Sequence, residues 1–175
     1  MKKIMVLFLA FVAFGSAQET YRLADKSSLT ISGSSTVHDW TVSANAMNGT
    51  LSAAKNTPKE ITFEVAVADI QSERGPTMDN KMHSALKRAE HPKITFTLNE
   101  VKGTSILVGT LRIAGVEKQV DLETEITSLA NGLALKGETK IILQDYGIEP
   151  PTAMFGQIIV GDEVSVKFDL VFASL

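Results

Sequence analysis

Near the C-terminus Val164, Val166, Phe168, Leu170 and Phe172 alternate with Ser165, Lys167, Asp169 and Val171. Neighbouring side chains on a strand point to opposite faces, so this period-two pattern gives one oily face and one largely polar face. The pattern recurs along the chain. Phe63, Val65 and Val67 stand against Thr62 and Glu64, and Ile94-Thr95-Phe96-Thr97-Leu98 repeats it. So do the sets Leu107, Leu111 and Ile113; Val120, Leu122 and Ile126; and Leu133, Leu135, Ile141 and Leu143. Together with Leu29 to Ser32, Thr36 to Ala46 and Asn48 to Ser52, they make about eight strands. Strands of this kind cover a core with one face and meet water with the other.

Turn chemistry separates the runs. Asn131-Gly132 is the strongest hairpin signal, because a type I′ turn needs positive φ at both central residues; Gly103-Thr104, Gly115-Val116 and Gly161-Asp162 are weaker marks. Short connections imply antiparallel neighbours. One stretch departs from period two: Met78, Met82, Ala85 and Leu86 share a helical face, with Asp79 in the first turn and Lys87 and Arg88 in the last, as the helix dipole favours. A helix over residues 77–89 is expected, ending before Pro92. The fold class is therefore all-β with one short helix. About eight such strands can pack as two sheets or close into a barrel, and closure removes the exposed edges. An eight-stranded barrel has room either for its own side chains or for one small ligand. Small residues on the inward faces, Gly109, Gly137, Ala44 and, by register, Thr110 or Thr124, leave gaps in such a lining.

The N-terminus carries a separate message. Met1-Lys2-Lys3 precedes an unbroken apolar run from Ile4 to Phe14 and the small residues Gly15-Ser16-Ala17, the order of a secretory signal peptide cut after Ala17. Removing 17 of the 175 residues leaves 158, and losing Lys2 and Lys3 moves the formal charge from −3 to −5. That places a single domain, residues 18–175, in the periplasm or outside the cell. No other apolar run approaches the ~18 residues of a membrane helix, so stable membrane insertion is not expected. A mildly acidic chain without a basic cluster argues against nucleic acid as a partner. The absence of cysteine removes disulfides, thiol nucleophiles and thiolate metal sites.

Catalytic motifs are scarce. His38 and Asp39 are adjacent on an extended segment, so their side chains diverge and form no dyad; with Trp40 they read as a turn-and-strand signature closing one end of a barrel. Asp79 and His83 lie four apart on a helix and could, with His91, hold a metal, but no ligand motif surrounds them. Gly33-Ser34-Ser35 is not a nucleophile elbow, and no phosphate-binding glycine loop occurs. The chain is accordingly read as a non-enzyme without a cofactor or metal.

The ordered segments Gly33-Ser34-Ser35-Thr36-Val37-His38-Asp39-Trp40, Asp69-Ile70, the Asp79 to Leu86 helix and His91-Pro92-Lys93-Ile94-Thr95-Phe96 resemble the YceI-like family. Gly109 to Val116, Tyr146-Gly147-Ile148 and Val164 to Phe168 extend the resemblance, which runs from about Ala24 to Leu175. It implies an eight-stranded antiparallel lipocalin-like barrel and a polyisoprenoid or similar apolar lipid as partner. Where that family usually ends its helix in an aromatic pair, this chain has Leu86-Lys87-Arg88-Ala89, and Pro150 to Gly156 replaces a shorter connection. Strand parity and the resemblance together nominate Trp40, Phe63, Val65, Phe96, Leu111, Leu135, Ile141, Val166 and Phe168 as lining residues. Met82 and Leu86 would close the mouth, and Lys93 and Arg112 are candidate head-group contacts. The expected function is binding of a long apolar chain for carriage or storage outside the cytoplasm. A filled barrel serving as a structural or stress-related interaction domain fits the same alternation, and a homodimer is compatible with either.

Overall fold

The structure, a computed structural model, describes residues 19–153 and 155–174. The expected signal peptide, residues 1–17, lies outside them. Twelve strands and one α-helix follow in order: β1 (Glu19–Leu23), β2 (Ser28–Ser35), β3 (Trp40–Ala44), β4 (Met47–Ala54), β5 (Thr57–Ala66), β6 (Ile70–Ser72), α1 (Pro76–Ala85), β7 (Lys93–Lys102), β8 (Ile106–Ile113), β9 (Val116–Leu129), β10 (Gly132–Ile142), β11 (Thr152–Ala153) and β12 (Ile158–Ala173).

These segments make eight staves of a closed antiparallel barrel. Strands β1 and β2 both run against β12, through Leu23↔Phe172 and from Ser28↔Asp169 to Ser35↔Val160, so they form one interrupted stave. Strands β3 and β4 pair with β2 and β1 respectively and form the second; β6 and β5 pair with β3 and β4 and form the third. Then β7, β8, β9, β10 and β12 follow as single staves, and β12 returns to β1 and β2 to close the ring. Every stave pairs with its neighbours in sequence, as the short connections imply. The break in the second stave is fixed across the ladder, where the Asn45 N–H donates to the Asp69 carbonyl at 2.8 Å.

The turns depart from expectation in detail. Lys55-Asn56 and Ala114-Gly115 have positive φ at both central residues and form the tight two-residue hairpins β4–β5 and β8–β9. At the β9–β10 hairpin the pair Leu129↔Gly132 closes the ladder, so the loop residues are Ala130-Asn131, neither of which has positive φ. The type I′ Asn131-Gly132 turn is thus not formed. Gly132 is needed for space instead: a Cβ there would lie 1.9 Å from the Phe172 carbonyl oxygen.

Helix α1 starts on Pro76 at its first turn, where a missing N–H costs nothing. It ends at Ala85, four residues before the expected boundary. Lys87 takes a left-handed φ of 54°, its N–H donates to the Ser84 carbonyl, and the Arg88 N–H donates to the His83 carbonyl, each at 3.0 Å. This paired arrangement is a Schellman cap, built here without glycine.

The interior is not uniform along the barrel axis. At the end where β9 turns into β10, Leu51, Leu133 and Phe172 are almost completely buried and Tyr21, Ala53 and Leu98 pack with them. This is a solid floor. Toward the opposite end Leu29, Ile31, Leu111 and Val166 face inward yet are only half-buried, because the space beside them is hollow.

Candidate functional site

The hollow is a cavity of about 280 Å³ opening at the end of the barrel covered by α1, the β2–β3 turn and the segment before β12. That is many times the ~30 Å³ share of one water and close to the lower bound of the ~300–1,000 Å³ range of small-molecule sites. All eleven residues nominated from the sequence line it. Phe63 and Val65 come from β5, Phe96 from β7, Leu111 from β8, Leu135 and Ile141 from β10, and Val166 and Phe168 from β12. Trp40 lies at the mouth on β3, with Met82 of α1 and Leu86 at its C-cap above. Residues not nominated complete the wall: Leu29 and Ile31 of β2, Ile94 of β7 and Leu122 of β9. Their parity was readable, since each lies two or four residues from another inward apolar side chain.

The two glycines read as gaps in the lining, Gly109 and Gly137, are occupied, and Gly33 is filled in the same way. A Cβ on Gly33 would lie 2.4 Å from the Trp40 ring, one on Gly109 2.3 Å from the Phe96 ring, and one on Gly137 2.6 Å from the Phe168 ring. Each glycine lets an aromatic ring from the adjoining stave lie against the wall. The indole of Trp40 is further held by its Nε1–H donating to the Ser34 carbonyl at 3.1 Å. At Gly33 all three nearest atoms belong to Trp40 and the backbone φ is not positive, so a substitution there acts through space alone. Gly33→Ala is expected to destabilise the barrel by about 1–3 kcal/mol through overpacking. In a Trp40→Ala background most of that cost should vanish, a coupling that a denaturation double-mutant cycle measures.

Apart from Thr139, opposite Val166 in mid-wall, the polar part of the lining gathers at the mouth. Ser35 and His38 come from the β2–β3 turn, Ser72 and Arg74 from the end of β6 and the turn after it, and Asp79 and Lys81 from α1. Arg74 Nη1 donates to His38 Nε2, joining two loops across the opening. Lys93 and Arg112 are not among the lining residues. They have the opposite parity to Ile94 and Leu111, so they point outward, where Lys93 pairs with Glu64 at 2.8 Å and Arg112 with Glu117 at 3.9 Å. The expectation that they meet a head group is therefore corrected.

Helix α1 is pinned to β6 by two side chains one turn apart. Asp79 Oδ1 accepts from the Ser72 N–H at 2.8 Å and from the Ser72 hydroxyl at 2.7 Å. On the next turn buried His83 has both nitrogens engaged: Arg88 Nη1 donates to Nδ1 at 3.1 Å, so Nε2 carries the proton and donates to the Ile70 carbonyl at 2.8 Å. A metal site of Asp79, His83 and His91 does not assemble. His83 has no free lone pair, the His91 ring packs on Gly115, and no group of metal-binding side chains occurs among the described residues. The Ser72 hydroxyl, then the Ser72 N–H, holds the Asp79 carboxyl below its usual value of 3.8. A depressed carboxyl contributes stability that is present above the unfolded value and lost as pH falls through the folded one. The stability difference between the protein and its Asp79→Ala variant should therefore be constant above about pH 5 and shrink below about pH 4. Denaturation curves across that range check it; a pH-independent difference would contradict the pin.

Comparison with known proteins agrees with this architecture. The sequence matches the YceI-like domain family over residues 21–172. A search of curated proteins returns no match. Among solved structures the chain is similar to a polyisoprenoid binding domain from Saccharophagus degradans implicated in plant cell wall breakdown (TM-score 0.71, 18% identity, 89% of this chain and 98% of that one). It is also similar to BcnA of Burkholderia cenocepacia (TM-score 0.68, 18% identity, 83% and 96%) and to the YCEI protein of Campylobacter jejuni (TM-score 0.58, 22% identity, 69% and 75%). With the family match spanning every stave of the barrel, this chain belongs to the YceI-like family.

Proposed function

We propose that the protein binds one long apolar chain, an isoprenoid or similar lipid, inside the barrel and carries or stores it outside the cytoplasm without altering it. The observation that bears most weight is the hollow above a solid floor. At the ~24 cal/mol per Å³ of an enclosed cavity, an unfilled apolar space of 280 Å³ forgoes up to about 7 kcal/mol of packing, comparable to the whole stability of an ordinary domain. Side chains as large as those of the floor would recover it, so an apolar space of this size makes physical sense as a place for a guest. Each CH₂ moved there from water contributes about 0.8 kcal/mol, offset in part by ordering the chain. The similarity to the polyisoprenoid binding domain of Saccharophagus degradans supports the choice of polyisoprenoid. The wall presents hydrocarbon to its guest, which suits retention rather than bond-making. The location rests on the basic start, apolar run and small residues of the first 17 positions.

The test is direct. Protein purified natively from its own compartment and extracted with organic solvent should yield a long-chain lipid in near-stoichiometric amount by mass spectrometry. Repeatedly empty preparations that also take up no added lipid would overturn the reading.

A further inference from the structure

Three of the side chains lining the cavity are charged, and all three stand at its mouth: Arg74, Asp79 and Lys81. Asp79 is already engaged by Ser72. Arg74 donates to a histidine and has no carboxylate within ion-pair distance, and Lys81 has no ion pair among the described residues. Arg74 and Lys81 are the basic side chains among the lining residues; ion-paired Lys93, Lys102, Arg112 and Lys140 are not among them. Arg74 and Lys81, neither in an ion pair, outweigh the Asp79 carboxylate and give the rim of an otherwise apolar space a net positive charge.

A chain lodged in the cavity brings its head to that rim. There hydrocarbon on one side lowers the effective dielectric, so a charge interacts more strongly than in open water. The guanidinium of Arg74 has five N–H donors in a planar fork, only one of them engaged by His38, and the fork matches a carboxylate or a phosphate. We infer that the guest is an amphiphile with an anionic head, a carboxylate or a phosphate, held at the mouth by Arg74 and Lys81. This rests on the chain-binding reading above.

The experiment compares matched probes by calorimetric titration: geranylgeraniol against geranylgeranyl monophosphate, and hexadecanol against palmitate. The charged member of at least one pair should bind roughly ten-fold tighter or more at low salt, and its advantage should narrow as ionic strength rises. A phosphate preference alone identifies the head as a phosphate, and a palmitate preference alone identifies it as a carboxylate. In the Arg74→Ala/Lys81→Ala variant, the two members of a pair should bind within about two-fold of each other. Lys167→Ala, outside the cavity, should preserve the preference. Circular dichroism establishes that each variant is folded. Equal affinities for charged and neutral probes would overturn the anionic head while leaving the apolar-chain reading intact. A preference that survives the double variant would overturn the assignment to Arg74 and Lys81. Failure of every probe to bind would overturn the chain-binding reading, and the head-group inference with it.

Discussion

Val166→Asp is expected to abolish uptake of an apolar chain, with an affinity loss on the order of a hundred-fold or more. Val166 lies mid-wall on β12, paired with Thr139 on β10 and Ile31 on β2, and it is only half-buried because its side chain meets the hollow. In the unoccupied barrel a carboxylate there can be reached by water through the mouth, so the variant should fold. A hydrocarbon guest would displace that water and leave the carboxylate unsolvated, a cost of several kcal/mol. The measurement is titration with a long-chain lipid, with circular dichroism confirming the fold. Val166→Thr, nearly the same shape and uncharged, should lose far less. Undiminished uptake by folded Val166→Asp would mean that the guest does not use this cavity.

That prediction was accessible from the sequence because the β12 alternation alone fixes which side chains face inward. Strand parity carried the nine nominated strand residues onto the cavity lining, whereas Met82 and Leu86 were read from a helical face; the same parity puts Lys93 and Arg112 outside. The places where staves break were not accessible. They depend on partners far apart in sequence, such as the Asn45 N–H on the Asp69 carbonyl and the closing pair Leu23↔Phe172. Thr36 to Ala46 read as one strand. In the fold Ser35 Oγ accepts from the Val37 and His38 N–H groups and turns the chain before Trp40, the local competition with ladder bonds that serine is suited to.

The site was legible to the same degree. Periodicity locates a wall but not a mouth, because Arg74 and His38 sit in turns that have no period, and only the closed ring brings them together. The glycines carry a similar lesson. Gly109 and Gly137 read as missing volume in the lining, yet each is filled by a ring from the neighbouring stave. Whether a gap in a lining remains open depends on the cross-strand partner, and register supplies that partner.

The largest stability effect separates a hollow barrel from a filled one. Leu133 is completely buried in the floor, whereas Leu111 is half-buried against the hollow. Leu133→Ala should cost about 2–5 kcal/mol, since it removes a buried side chain and leaves a new void among neighbours that cannot collapse. In a domain of this size that lowers Tm by roughly 5–15 °C. Leu111→Ala adds its lost volume to space that is already empty. The void term is therefore absent and only part of the transfer term remains, about 1 kcal/mol or less. Thermal or urea denaturation of lipid-free protein gives both values. In a filled barrel the same substitution at two inward positions would cost similar amounts. Equal losses would therefore remove the hollow, whereas a loss concentrated at Leu133 places the packed core at one end of the barrel and leaves the other for a guest.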